Sequence, residues 1–437
     1  MRLYRWARRY PRRPYAVPVR VWPPRALGHA RVVRAAYDRH REERLEAYGA
    51  AHPTAVAAVV PRGRDRWRTW FVEDLIAMSL QLVRRHGPWV RERTGRPLWR
   101  QWLDMLALAV SLPAMPEAYY AYEWYLPSQR RRARAYLQRY QLKRVVYLLL
   151  APPPGSPSLT DKLAFAEHAR RCGIPVPQTL ATVVGGELRL VAGQPGDALQ
   201  RDMFVKPLEG KGGRGADRLR FVPGSVPRYG SAVTGRTHTL AEVVERLRSR
   251  AQKPRYARGF MLQELLSNHP DIAPLAGSAV STCRIVTMLD ERGEPEPIIA
   301  IVRMAGASES VVDNSHAGGM AAPVDLASGR LGEAAFLGHE ATLERFAVRP
   351  DSGARIEGAV VPRWDEVVAL ALRAHRAFDA YALVGWDIAV TPGGPVLVEG
   401  NDQPCPEGLQ RRHRLALGDH RFGVLLAWHL RQRGVVP

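Results

Sequence analysis

The stretch GWDIAVTPGGPVLVEGN, Gly385 to Asn401, holds two apolar, strand-like runs joined by Thr391-Pro392-Gly393-Gly394. Apolar runs flanking a Pro/Gly turn read as a β-hairpin. Asp387 stands at the head of the first run, and Glu399 and Asn401 close the second. In a hairpin those ends lie side by side. Two carboxylates and an amide oxygen on one edge repel unless something positive sits between them. Hard oxygen donors suit Mg²⁺, which commonly bridges carboxylates to the phosphates of a nucleotide. The plain alternative is that Asp387 and Glu399 pair with nearby arginines, and the hairpin alone leaves both open.

At 437 residues the chain has room for two or three domains and a substantial core. Its 46% hydrophobic and 24% charged residues are those of a globular protein. Cys172, Cys283 and Cys405 are few, odd in number and far apart, so they frame neither a disulfide scaffold nor a zinc site. A reducing cytoplasm is the expected location. No apolar run approaches the ~20 residues that span a bilayer, and the N-terminus has no apolar run behind its charges.

The net charge of +22 is unevenly placed. Residues 1–150 carry 30 Lys+Arg against 11 Asp+Glu, a net of +19, and the remainder carries 34 against 31, a net of +3. All but Lys143 of the basic residues before 150 are Arg, which suits phosphate-bearing partners. An Arg-rich compositional habit is the plain alternative.

Residues 1–30 are rich in Pro and Arg and lack periodicity, so they are expected to be poorly ordered. From 31 to 150, RVVRAAYDRHREERLEAYGA, WFVEDLIAMSLQLVRR, LWRQWLDMLALAVSL and PSQRRRARAYLQRYQLKRVVYLL repeat apolar residues at helical spacing. APPPGSPS, 151–158, reads as a linker. A helix DKLAFAEHARRC follows, with Thr160 or Asp161 as N-cap and Gly173 as its C-terminal stop. Strands are expected near 180–184 and 187–191, split by Gly185-Gly186.

In MFVKPLEGKGGRGADRLRFV a strand carrying Lys206 leads into a loop with four glycines in seven residues. Such a loop brings backbone N–H groups close to an anion. Lys211 and Arg214 add charge, while the GxxxxGK[ST] spacing of a Walker loop is absent. A mobile hairpin tip with solvated charges is the alternative. GFMLQELL, 259–266, is an apolar strand carrying Gln263 and Glu264. STCRIVTMLDERGEPEPIIAIVRMA, 281–305, gives two strands with Arg284 and Arg303 inside apolar surroundings. A buried arginine needs a partner, so each is either structurally paired or placed for an anionic ligand. VVDNSHAGGM, 311–320, is a polar loop closed by two glycines.

In this order the blocks LTDKLAFAEHARRCGIPVPQT, GKGGRG, AVSTCRIVT, VDNSHAGGM and GWDIAVTPGGPVLVEGN make the chain resemble the ATP-grasp superfamily. The likeness covers roughly 118–430 and sharpens toward the sugar-transfer-associated ATP-grasp proteins, related to α-L-glutamate ligases. It implies an α/β (α+β) fold in which two subdomains, 159–262 as lid and 263–437 as core with the metal site, clamp ATP. The mainly helical basic region 31–150 precedes them, where most ATP-grasp enzymes carry a small α/β domain.

The resemblance also implies roles. Lys162 and Lys206 look like the lysines that hold the ATP phosphates, under a lid formed by Gly210, Lys211, Gly212, Gly213 and Gly215. Gln263, Glu264, Leu265 and Leu266 look like the hinge against the adenine. Asp387, Glu399 and Asn401 would hold one or two Mg²⁺ ions, with Mn²⁺ as a substitute. Arg284, Arg303 and Asn314 would steady the transferred phosphoryl group and the acyl intermediate. His316 stands in the same loop, where a hydrogen-bonding role is favoured over that of a base. Val312-Asp313-Asn314 departs from the Arg-x-Asn of glutamate ligases, so glutamate is not implied as substrate.

The implied activity is ATP- and Mg²⁺-dependent joining of a carboxylate to an amine or related nucleophile through an acyl phosphate. The substrates would be small or sugar-linked. Two other classes stay open: an ATP-binding regulatory protein without ligase activity, and a nucleic-acid- or membrane-binding protein. The second rests on arginines interleaved with Tyr4, Trp6, Tyr10, Trp67 and Trp70. An anionic membrane surface at the inner face, or polysaccharide-assembly proteins, would use the same charge; nucleic acid is the weaker expectation.

Overall fold

The computed structural model describes residues 32–33, 35–37, 40, 75–112, 114–210, 213–277, 279–306, 319–336 and 344–435. Residues 1–30, most of the helix expected over 31–50, Lys211, Gly212, Val312, Asp313, Asn314 and His316 lie outside the described residues. The chain forms two compact units, Met1–Leu150 with Cys405–Pro437, and Ala151–Pro404. Residues 405–437, which the sequence reading joined to the core subdomain, therefore group with the helical region.

The described part of the first unit is helical. Helix α1, Met78–Thr94, runs through Gly87-Pro88 and stops at Gly95, whose left-handed backbone (φ 70°) lets its N–H reach Arg91 O. Helix α2, Leu98–Ser111, follows Pro97 directly. Asp104 on α2 accepts hydrogen bonds from Arg96, from Arg130 (3.1 Å) and from the Tyr119 hydroxyl (3.2 Å). The single helix expected over 127–149 is broken into Pro127–Arg131, a 3-10 turn Ala133–Ala135 and a helical run from Arg139 to Leu149 containing a π turn, Leu142–Val146. The break has a tertiary cause. The buried Gln410 side chain accepts from Leu137 N and donates to Leu137 O, both at 2.9 Å, replacing the intrahelical partners that residue would need.

The second unit holds two antiparallel sheets. Helix α3, Lys162–Arg171, opens it; Asp161 is its N-cap, accepting from Leu163 N (3.0 Å) and Ala164 N (3.1 Å). The chain leaves the helix through Cys172 and a left-handed Gly173 (φ 67°). One sheet contains β1 Thr179–Val184, β2 Glu187–Leu190, β3 Met203–Pro207, β4 Asp217–Val222, β5 Arg228–Ser231, β6 Thr237–Thr239 and β7 Phe260–Glu264, in the order β2-β1-β7-β3-β4-β5-β6. Helix α4, Leu240–Ala251, begins with a capping box between Thr239 and Glu242 and buries Val243 and Leu247 on this sheet.

The other sheet contains β8 Thr282–Leu289, β9 Pro295–Met304, β10 Met320–Val324, β11 Ala335–Phe336, β12 Leu383–Thr391 and β13 Gly394–Asn401, in the order β11-β10-β9-β8-β12-β13. Helix α5, Trp364–Ala377, packs on it, and α3 joins the same core through Phe165 and Ala169. Phe165, Phe378 and Trp386 touch in series, with ring centroids 5.4 and 5.7 Å apart. Every residue of β12 is buried. The strand begins four residues before Asp387, so that acid lies mid-strand and not at the head, because Leu383–Trp386 also pair with β8, and Gly385 and Trp386 with β13.

Candidate functional site

The site grows from β12 and its two neighbours. Asp387 lies directly opposite Glu399 of β13 on one side and opposite Arg284 of β8 on the other. Asn401 is two residues beyond Glu399 and so shares its face. Arg303 of β9 stands opposite Thr282, two residues from Arg284, and falls on the same face. Next to Asp387 the register skips Val398, a bulge that redirects side chains at the end of the hairpin. Five polar side chains thus meet on one sheet face.

Asp387 is 3% exposed and accepts from Arg284 Nε (2.7 Å), Arg284 Nη2 (2.5 Å) and Arg303 Nη1 (2.9 Å). Burial favours its neutral form, but the charges and hydrogen bonds of the two arginines outweigh that and hold it below the usual carboxylate range. Of the two alternatives for these arginines, the structure has the paired one. A carboxylate offers about four lone-pair directions, and the arginines use three.

Glu399 and Asn401 are half-buried. The Asn401 amide oxygen accepts from Gln403 N at 3.1 Å, which fixes its plane. Among the described residues no group of three or more His, Cys, Asp or Glu is arranged to hold a metal ion; the donors expected from the sequence are two carboxylates and one amide oxygen. All three are hard oxygen donors, the chemistry Mg²⁺ prefers. They fit a divalent ion if Glu399 and Asn401 carry most of the coordination and Asp387 contributes its remaining lone pair.

Lys206 reaches this region from β3. Loss of hydration pushes its ammonium down to about 8; Glu399 pulls it up, and Lys162 pushes it down. These mutual effects put Lys206, Lys162 and Glu399 in one electrostatic neighbourhood. Lys162 donates to Gly210 O at 2.9 Å, at the entry to the glycine-rich loop. The described loop glycines, Gly210, Gly213 and Gly215, all have positive φ, as expected for a backbone that turns its N–H groups toward a ligand.

Gly400 explains how α3 is brought to the acids. A Cβ there would lie 2.7 Å from Leu159 Cδ2 and 2.8 Å from Trp386 Cζ3. Its missing side chain lets the start of α3 settle against the backbone between Glu399 and Asn401.

The expected hinge is largely used internally. Glu264 Oε1 accepts from Gln178 N (2.8 Å) and Glu264 N donates to Gln178 O (3.0 Å), while the buried Gln263 amide lies 3.4 Å from Thr179 Oγ1 and 3.5 Å from Pro177 O. Leu265 and Leu266 are half-buried. Sequence reasoning missed Arg258, which donates to Asp161 Oδ2 and to Glu209 Oε1, each at 2.8 Å. Those partners are 97 and 49 residues away, so spacing gave no signal.

With the fold and this site in view, the chain belongs to the sugar-transfer associated ATP-grasp family, whose pattern matches residues 143–413. No curated protein sequence matches it. Among solved structures it is similar to an L-amino acid ligase from Bacillus licheniformis, at 10% identity and a TM-score of 0.38, over 68% of this chain and 57% of that one. It is similar to the D-alanine–D-alanine ligase from Bacillus anthracis, at 15% identity and a TM-score of 0.36, over 66% and 75% of the two chains. A third likeness is to the ATP-grasp ligase PsnB complexed with minimal precursor, Mg and ADP, at 18% identity and a TM-score of 0.33, over 72% of each chain. The chain thus spans little more than half the first of these ligases, and likenesses of this degree identify no substrate.

Proposed function

We propose that the chain is an ATP- and Mg²⁺-dependent ligase that joins a carboxylate to an amine, or to a related nucleophile, through an acyl phosphate. What supports this reading is the convergence of Lys162, Lys206, Glu399, Asp387, Arg284 and Arg303 within residues 151–404. A substrate carboxylate oxygen would attack the γ-phosphorus of ATP, breaking its bond to the bridging oxygen and releasing ADP. The amine lone pair would then attack the acyl carbon, phosphate would leave with the C–O electrons, and the amine would give its proton to solvent. Such transfer needs positioning and positive charge where negative charge builds up. Lys162, Lys206 and the loop backbone would bind the phosphates, and Arg284 and Arg303 would keep Asp387 ionised and aligned while turning residual positive potential toward the phosphoryl group. Mg²⁺, held by Glu399, Asn401 and Asp387, would neutralise phosphate charge. Adenine would lie against the half-buried Leu265 and Leu266.

The test is ADP release by the purified protein with Mg²⁺ across a panel of carboxylates and amines, including amino acids and amino sugars, with product mass determined. ADP formation that requires both partners and yields a condensed product is expected. Nucleotide binding with no condensed product from any pair would favour an ATP-binding regulatory role instead.

A second reading concerns location. Trp99 is 60% exposed and Leu103 46%, and with the exposed Ala107 they repeat every four residues along α2. Arg100 lies beside that stripe, 6.0 Å from the Trp99 ring, and Arg91 and Arg93 near the end of α1 are exposed as well. An apolar stripe bordered by arginines is the pattern of a helix lying in an anionic lipid interface. Among the described residues no helix is long and apolar enough to cross a membrane, so the association proposed is peripheral.

A further inference from the structure

Arg258 precedes Gly259, whose backbone has φ +94° and leaves no room for a Cβ, which would run into Val183 O. Gly259 O accepts from Leu208 N at 3.0 Å, so the backbones carrying Arg258 and Glu209 are already tied together. From that fixed point the Arg258 guanidinium bonds two acids at once, Glu209 and Asp161. Asp161 caps α3 and is adjacent to Lys162; Glu209 is adjacent to Gly210, the residue that Lys162 bonds. Two parallel links therefore join the start of α3 to the entry of the glycine-rich loop, one through Arg258 and one through Lys162.

We propose that Arg258 is a positioning residue for the nucleotide site, holding the loop entry at Glu209–Gly210 against the N-terminus of α3 so that Lys162 is set toward the phosphates. The inference rests on the reading of this site as an ATP site. Arg258 is not placed on the phosphate itself, since both terminal nitrogens of its guanidinium donate to carboxylates. With its side chain 52% exposed, each link is weak in isolation. Its value lies in fixing Glu209 and Gly210 against the start of α3 before ligand arrives, which cuts the ordering cost of binding.

The test is ADP binding by the full chain with Mg²⁺, measured by calorimetry for wild type, Arg258→Met, Glu209→Gln and the double variant, with each melting temperature recorded. Arg258→Met is expected to raise the Kd for ADP by about 3–10-fold with little change in melting temperature. Glu209→Gln should reproduce part of that loss, and the double variant should be no worse than Arg258→Met alone. Arg258→Lys should rescue part of the affinity, since an ammonium serves one carboxylate well but lacks the fork that spans two. Unchanged affinity in Arg258→Met, or effects that simply multiply in the double variant, would overturn the proposal. Absence of ADP binding by wild type would instead remove the ATP-site reading beneath it.

Discussion

Arg284 and Asp387 face each other across β8 and β12 and share two hydrogen bonds, 2.7 and 2.5 Å long, with Arg303 supplying a third at 2.9 Å. Two cations on one buried acid make this group a structural unit as well as a candidate for chemistry. Removing the acid would leave two arginines facing each other.

Asp387→Asn should therefore lower stability by about 3–5 kcal/mol, the usual cost of stripping one partner from a buried ion pair. Glu399→Gln should abolish turnover with little effect on folding, because Glu399 is only half-buried. Denaturant unfolding and ADP release on both variants separate the two roles. Equal stability loss in both would mean that the acids serve the fold alike. The ionised Asp387 stabilises the fold at pH values above the ordinary aspartate range, and that contribution should fade as acid protonates it.

Lys206 carries a pH signature. Its ammonium titrates near 8 in the free protein because burial opposes the charge. A bound phosphate would favour the ammonium and raise that value, so affinity should be full below about pH 8 and fall above it, by at most about tenfold per pH unit for one proton. Lys206→Arg, charged throughout the range, should flatten the profile. ADP titrations across this range decide the point; a flat wild-type profile would take Lys206 away from the phosphates.

Loss of charge at either lysine should weaken nucleotide binding. Lys162→Ala and Lys206→Ala are each expected to cost about 1–3 kcal/mol of ATP affinity, typical of a charge-assisted contact. Wild-type affinity in both would make the lysines structural.

Gly400→Ala tests how α3 is seated. The added methyl group would press on Leu159 and Trp386, at a cost of about 1–3 kcal/mol for overpacking. Because the same contact places Lys162, the variant should also bind ADP more weakly than its stability loss alone predicts at a temperature where it stays folded. A stability change with unaltered ADP affinity would uncouple the two.

For the location of the protein, Trp99→Ser with Leu103→Ser should reduce sedimentation with vesicles containing anionic lipid while leaving any ADP release on small substrates intact. Binding should also fall as salt screens the arginines. Vesicle binding equal to wild type would remove α2 from the interface.

Sequence pattern exposed the parts of the site carried by regular structure. The hairpin pairing of Asp387 with Glu399 follows from strand period and a Pro-Gly turn, and Asp161 was one of two N-cap choices. What stayed hidden depends on partners distant along the chain. Nothing in PSQRRRARAYLQRY warns that Gln410 will break the helix at Leu137, and nothing near Arg258 points to Asp161. Glu264, expected beside the adenine, also accepts from Gln178 N through one carboxylate oxygen, a partner 86 residues away. Local propensity cannot report which of several polar groups a buried donor will find.

The burial of β12 along its whole length, between β8 and β13, has a kinetic consequence. Its amide protons can exchange with solvent only when the surrounding sheet opens, whereas β2 and β6, at the edges of the other sheet, carry mostly exposed or half-exposed residues. Hydrogen exchange should therefore grade the second unit from slow at Asp387 to fast at those edges.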